Sequence, residues 1–350
     1  MKIWHKAKFL RSLFFVSIFF CYFNACEAYE AVFHNIGQGN CTVIKSPDKR
    51  VLVVDAGSSN TTGIPGIPDK DKYRVLAQRV FESIEREVSF SKWLVFIVSH
   101  PDRDHLNLVK RMIDLARTSI PDVFVGVLLG GTYNIYSKED SKELVDFLIE
   151  NSIPHRFGDK FSSTGLFYEE DESSPKILSG WLGKIDFLSV DSRGEAAIGG
   201  PLMRRRKALK KEEGGAAGAG SSSTPLSTIE RPFGDDGTNK VSIVIKIHCD
   251  TFSVMLTGDK TKTETERIIR RFQDATQIEQ LKTDVLLATH HGSATDFVPE
   301  WIALTNPRHV VISAGRSFDH PRSEAFEGYF MNASHLPSHK PLKLPLSATT

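Results

Sequence analysis

Short apolar runs alternate with amphipathic stretches along most of this chain, and the runs end in polar, glycine-bearing turns. Ala31-Val32-Phe33-His34-Asn35-Ile36 and Cys41-Thr42-Val43-Ile44-Lys45 read as two strands in quick succession. Between them, Gly37-Gln38-Gly39-Asn40 marks a turn in which backbone comes close to other backbone. Arg50 to Val54 predicts a third strand, apolar on both faces and ending in Asp55-Ala56-Gly57. From Tyr73 to Glu87 the apolar positions have helical spacing, and Leu106 to Ala116 repeats that spacing. Trp93-Leu94-Val95-Phe96-Ile97-Val98 lies between these helices and reads as a buried strand. Val123 to Leu129 and Lys184 to Val190 predict further strands, and Ser141 to Glu150 a further helix. In the second half, Lys240 to Ile247 and Thr251 to Leu256 form a hairpin around Cys249-Asp250. A helix from Thr263 to Phe272 and strands at Thr283 to Thr289 and His309 to Ser313 complete an α/β pattern of helices packed on sheets.

Three segments break this pattern. Lys2, Lys6, Lys8 and Arg11 precede the apolar stretch Ser12 to Phe23, and the small residues Ala25, Cys26 and Ala28 follow. The stretch is shorter than the ~20 residues of a spanning helix, so residues 1–28 read as a signal peptide cleaved after Ala28 and the mature chain as exported, periplasmic or secreted. A lipid anchor through Cys26 is the second reading of the same residues. Arg204 to Lys211 is basic and runs into the Gly/Ala/Ser tract Gly214 to Thr224, so about 195–237 reads as a disordered insertion whose charges are either solvated or hold a phosphate backbone. The Pro- and Ser-rich residues 334–350 read as a tail. What remains, 29–333, has the length of one large domain or two small ones.

Composition narrows the class. With 40% apolar residues and a formal net charge of +1, the chain has no global basic field of the kind that marks nucleic-acid binders. No second hydrophobic segment supplies a transmembrane channel. Only Cys41 and Cys249 follow the leader, both in apolar runs, which excludes a disulfide framework and favours buried free thiols.

The chemistry concentrates in Ser99-His100-Pro101-Asp102-Arg103-Asp104-His105, directly after the buried strand. Two imidazoles and two carboxylates within six positions repel or stay unsatisfied unless a cation draws them together, so the cluster reads as a metal site. Other strand ends carry Asp55, Thr257-Gly258-Asp259, His290-His291-Gly292-Ser293 and, shortly after the last strand, Asp319-His320-Pro321.

Taken in order with Asn35-Ile36-Gly37-Gln38-Gly39-Asn40, these motifs resemble the hydrolase domain of ComEC-type competence proteins, within the metallo-β-lactamase superfamily. The resemblance implies a four-layer αββα sandwich of two mixed β-sheets with a metal centre at one edge. It implies that His100 and Asp102 bind a first metal and Asp104 and His105 a second, with Asp259 bridging. His290 or His291 completes the second site; adjacent strand residues point opposite ways, so the other touches substrate or orients a ligand. The resemblance further implies that Asp55 accepts a hydrogen bond from a ligand histidine and fixes its tautomer, the alternative being a carboxylate that caps the turn before Gly57. The chain departs from the superfamily pattern where a further histidine is common, offering Asp235, Asp236 and Asn239 instead, with Ser242 after them. An amide oxygen suits manganese or magnesium better than zinc, so the expected cofactor is one or two zinc ions, with Mn or Mg as the alternative.

Such a centre makes hydroxide available at neutral pH and, with two ions, clamps an in-line displacement, which suits phosphodiesters. Asp259, Asp104 and His320 are the expected catalytic residues, and Asn239 and Ser293 the expected contacts to a phosphoryl oxygen. The function expected is therefore that of an exported metal-dependent hydrolase, a phosphodiesterase or nuclease using a metal-bound hydroxide, with DNA one candidate substrate. A cell-envelope phosphocholine esterase and a non-catalytic binding module with the same fold are the alternatives, and the sequence leaves the oligomeric state open.

Overall fold

The computed structural model describes residues 28–60, 71–158, 177–178, 181, 184–189, 236–272, 275–315 and 318–332. The expected leader, nearly all of the insertion and the tail lie outside the described residues, as does most of the polar loop after Asn60.

In the first half, β1 (Glu30–Phe33), β2 (Cys41–Lys45), β3 (Val51–Ala56), β4 (Trp93–Val98), β5 (Phe124–Leu129) and β6 (His155–Phe157) form a six-stranded sheet in that order. β1, β2 and β3 pair antiparallel, and β3 through β6 run parallel. Helices α1 (Lys72–Glu82), α2 (Glu85–Ser91), α3 (Arg103–Leu106), α4 (Val109–Ser119) and α5 (Glu139–Glu150) belong to this half. In the second half, β7 (Ile185–Ser189), β8 (Val244–Cys249), β9 (Phe252–Leu256), β10 (Val285–Leu287) and β11 (His309–Val311) form a five-stranded sheet in the order β11-β10-β9-β8-β7. Its helices are α6 (Asp236–Lys240), α7 (Lys262–Arg271), α8 (Ala275–Ile278), α9 (Pro299–Thr305) and α10 (Ser323–Asn332).

The alternation of side chains along the strands explains the layering. Val95 and Ile97 of β4 join Ile245, Ile247, Val254 and Leu256 in one apolar cluster, so the two sheets share a core. Phe96 and Val98, on the other face, pack with Leu76, Val80, Met112 and Leu144 of the helices. Met255 and Leu286 likewise meet Ile268 and Trp301 on the far side. Each of the buried aliphatic side chains among these contributes about 1.5–3 kcal/mol over its exposed state. The result is an α/β sandwich of two mixed sheets with helices outside. Among the described residues no helix is long and apolar enough to cross a membrane. Cys41 and Cys249 are buried and unbridged.

The helix expected over Tyr73 to Glu87 is two, α1 and α2, the first strand ends at Phe33 rather than Ile36, and the last ends at Val311 rather than Ser313. Three further departures have physical reasons. The helix expected from Leu106 begins only at Val109, because the Leu108 N–H goes to the Ala56 carbonyl at the end of β3 rather than to a preceding turn. The strand expected from Lys240 begins at Val244; before it, residues 236–240 form α6, whose first two residues fall in the stretch assigned to the insertion. The Ile243 N–H then crosses to the Ser99 carbonyl. The strand expected through Thr289 stops at Leu287, and the chain turns sharply.

Candidate metal centre

The ligand cluster sits where parallel strands of both sheets end. Asp55, near the end of β3, adopts the left-handed region at φ 55°, which Asp tolerates better than most residues. Its Oδ1 accepts the Ser99 N–H at 2.6 Å, and its Oδ2 accepts the Ser99 hydroxyl at 2.9 Å and the His105 Nδ1–H at 2.8 Å. The Ser99 oxygen in turn faces His100 Nδ1 at 3.0 Å. Gly57 and Gly39 make this arrangement fit. A Cβ at Gly57 would overlap the backbone nitrogens of His105 and Leu106, and one at Gly39 would overlap the carbonyls of Gly57 and Asp104.

From the second sheet, Asp259 follows β9 and its N–H is held by the Ser242 hydroxyl at 3.2 Å. Lys260, fully buried, donates to the carbonyls of Lys240 and Ser242 at 2.7 and 3.0 Å, which ties the segment after α6 to the Asp259 turn. His290 and His291 follow β10 in a turn at φ 47° and 54°. This corrects the expectation that they alternate as strand residues: in consecutive left-handed conformations both imidazoles face Asp259, His290 Nε2 at 3.5 Å and His291 Nε2 at 3.4 Å from Oδ2.

On all four histidines the Nδ1 side faces a fixed oxygen. His291 Nδ1–H donates to the Ser313 carbonyl at 2.6 Å, and His290 Nδ1–H to Asp296 Oδ2 at 2.6 Å. The Nε2 lone pairs therefore converge. His105 Nε2 lies 3.1 Å from Asp259 Oδ1, His100 Nε2 lies 3.9 Å from Asp259 Oδ2, and His291 Nε2 lies 3.5 Å from Asp104 Oδ2. The ligand atoms form two overlapping groups, His100, His105 and Asp259, and Asp104, His105 and His291.

Four of these atoms, Nε2 of His100, His105 and His291 and Oδ1 of Asp259, are buried without a hydrogen-bond partner. Each such group costs about 1–3 kcal/mol if left unmet, and cations held at the two groups would meet them. These buried His/Asp groups could hold a metal ion. With no ion, the same geometry distributes protons as ion pairs. Burial opposes charge on all of them, yet Asp259 and Asp55 hold His105 well above the usual imidazole range, and Asp259 and Asp104 raise His291 to about 10. Burial likewise disfavours charged Asp259, but His291 and His105 keep it well below the usual carboxylate range. Asp104 is lowered against its burial by His291 and His105. His290 is raised against its burial by Asp296 and Asp259.

The remaining sequence candidates sit around this cluster. Asp102 Oδ2 is 3.5 Å from His100 Nε2, outside the two tight groups; it accepts from Thr238 at 3.1 Å, and Oδ1 accepts from Lys138 at 3.3 Å. Burial opposes its ionisation, but His100 and Lys138 hold it low. Asn239 is half-buried, its Oδ1 without a hydrogen-bond partner and its backbone carbonyl accepting from Ser242. Ser293 Oγ pairs with Thr295 Oγ1 at 2.8 Å. His320 sits with its ring centroid 5.8 Å from that of His290, and burial together with the nearby His290 and His291 lowers its pKa. The pattern reading includes Ser99 in the ligand motif but gives it no role, and it misses Asp296, Thr238, Lys260 and the Ser313 carbonyl. Of these last four Asp296 alone leaves a signal, a carboxylate six residues after a candidate ligand. No protein-family model matches the chain, and no curated protein matches it.

Proposed function

We propose that this chain is a metal-dependent hydrolase of phosphodiesters. One observation carries the reading: the buried, unpartnered Nε2 atoms of His100, His105 and His291 converge on Asp259, each with its Nδ1 facing a fixed oxygen. Such a set costs stability unless it serves a cation, and an imidazole-rich set favours zinc, with Asp102 and Asn239 as harder donors nearby that suit manganese. The resemblance to ComEC-type hydrolase domains supports the same chemistry, and the leader-like residues 1–28 support an exported protein.

A bound divalent cation supplies Lewis acidity toward a phosphoryl oxygen and lowers the pKa of water toward neutrality. The chain does the rest. Asp55 and Ser99 orient His105 and His100, and the Ser313 carbonyl orients His291, so the ligand atoms need no rearrangement. Asp259 turns one oxygen toward His105 and the other toward His291 and His290. His290 is a quarter exposed and held by Asp296, with its Nε2 3.5 Å from Asp259 Oδ2, and is the ring offered to a substrate's phosphoryl or leaving oxygen. His320 and Ser293 lie beyond it, where the rest of the substrate runs.

The test is hydrolysis of bis(p-nitrophenyl) phosphate by the purified chain, stripped of metal and refilled with zinc, manganese or magnesium, beside Asp259→Ala. Metal-dependent turnover lost in the variant is expected. Bound metal with no turnover on any diester would overturn the phosphodiesterase reading, and no bound metal would leave the binding-module alternative.

A further inference from the structure

A cavity of about 630 Å³ opens beside the cluster, lined by Ser293, Thr295, Phe318, His320, Arg322 and Glu324 among others. Its volume is that of a site for a small organic group. Its wall is continuous with the ligand turn: the Ser293 N–H bonds the His290 carbonyl at 2.8 Å, and the Arg322 N–H bonds the Gly292 carbonyl at 3.1 Å. A group seated there is therefore next to His290, whose Nε2 faces Asp259.

Two features of this wall call for a ligand. Phe318 is 67% exposed, and its backbone and that of Asp319 both lie in the left-handed region, at φ 62° and 51°. That conformation suits Gly or Asn; an aromatic held there, with its ring in water, forgoes both backbone comfort and burial. Beside it, Arg322 pairs only loosely with Asp319, at 3.7 Å between exposed side chains, so an anion can take the guanidinium at little cost. An exposed ring beside a cation is the chemistry that stacks a flat heterocycle and holds the phosphate attached to it. A quaternary ammonium group would use the ring but would meet Arg322, and the one carboxylate among the described lining residues, Glu324, is exposed.

We propose that Phe318 and Arg322, with the hydroxyls of Ser293 and Thr295, form a subsite that stacks a planar base joined to the scissile phosphate, so that the substrates are nucleotidyl phosphodiesters rather than choline esters. This rests on the hydrolase reading above.

The test compares kcat/KM for thymidine 5′-(p-nitrophenyl phosphate) and for methyl p-nitrophenyl phosphate in the zinc-loaded full chain and in Phe318→Ala and Phe318→Trp. A preference of about tenfold or more for the nucleotidyl ester is expected, carried mainly in KM, collapsing in Phe318→Ala and kept in Phe318→Trp. Because the ring is largely in solvent, the substitution leaves the packed core alone, and a thermal melt verifies this for each variant. A second arm measures equilibrium binding of thymidine 5′-monophosphate, ribose 5-phosphate and phosphocholine, which needs no turnover. The nucleotide is expected to bind best, and to lose its advantage over ribose 5-phosphate in Phe318→Ala. If neither ester is hydrolysed, the hydrolase reading fails while the binding arm still decides the subsite. Equal binding of the nucleotide and ribose 5-phosphate, or tighter binding of phosphocholine, overturns the proposal.

Discussion

Asp55 Oδ2 receives the Nδ1–H of His105 at 2.8 Å across fifty residues of sequence, and it also takes the hydroxyl of Ser99, whose oxygen faces His100. One carboxylate thus sets the tautomer of two imidazoles at once. Asp55→Asn replaces an acceptor oxygen with an amide of the same shape, so the two rings lose their common orienting partner while the packing stays. Metal affinity is expected to fall about 10- to 100-fold, as is usual for such orienting partners. Competition against a chromophoric chelator measures this, and an unchanged affinity would remove the tautomer argument.

His290 and His291 are adjacent and both near Asp259, but only His291 belongs to a tight ligand group. Elemental analysis after dialysis is expected to show His291→Ala losing at least half of the bound metal and His290→Ala keeping most of it. Chelation of the native chain follows the same logic. Removing an ion present at a hundred times its dissociation constant costs about 2.7 kcal/mol, so the melting temperature is expected to fall by about 5–10 °C and to recover on refilling. Equal metal loss in the two variants would mean that the ligand is shared.

Gly57 lies where a Cβ would strike the backbone of His105 and Leu106. Gly57→Ala is therefore expected to destabilise the fold by about 1–3 kcal/mol through overpacking and to weaken metal binding by shifting His105. Ala56→Gly, one residue away in β3, is the control: it costs stability but adds no bulk against the ligand loop. Urea denaturation and metal titration on both variants separate the two effects.

Acid stability has a contribution away from the site. His34 is largely buried; that burial, and secondarily the positive charge of Lys45, push its pKa down to about 4, with Glu30 opposing. The unfolded chain, near 6.5, binds the proton first, so stability from this residue is complete above about pH 6.5 and declines as pH falls toward 4. A shift of this size corresponds to about 3 kcal/mol at most. His34→Gln keeps a polar group near the Ser83 hydroxyl, which lies 3.4 Å from His34 Nε2. In urea titrations at pH 7 and pH 4.5, its loss of stability on acidification is expected to be smaller than that of the native chain. An equal loss would mean that His34 is not the group responsible.

Much of the fold was legible because strands and helices write different periods. β2 and β4 coincide with their apolar runs, and the amphipathic stretches became helices. The failures fall where tertiary contact overrode pattern. Leu108 gave its N–H to β3, Val241 and Ser242 bonded back to Thr238 and Asn239 while Ile243 crossed to Ser99 instead of joining β8, and β6 is three residues long, too short to show a period. The candidate ligands could be picked out because metal-ligating residue types cluster at strand ends. Their orientation could not: that His290 and His291 face the same carboxylate depends on two left-handed residues, which no alternation rule anticipates. Ser99 and the Ser313 carbonyl are invisible to composition, since a serine or a backbone oxygen carries no signature of what it supports.

The cluster draws His100 from just past the end of β4, Asp104 and His105 from α3, and Asp259 and His291 from turns after β9 and β10. Neither half of the chain holds a complete set, and His105 and Asp259 stand about 150 residues apart in sequence, so bringing them together costs chain entropy that the shared core offsets. An ion held by this cluster would be captured late in assembly and would seal a finished molecule: a chain whose sheets have docked would retain it, while a half-docked one would release it and stay open to proteolysis.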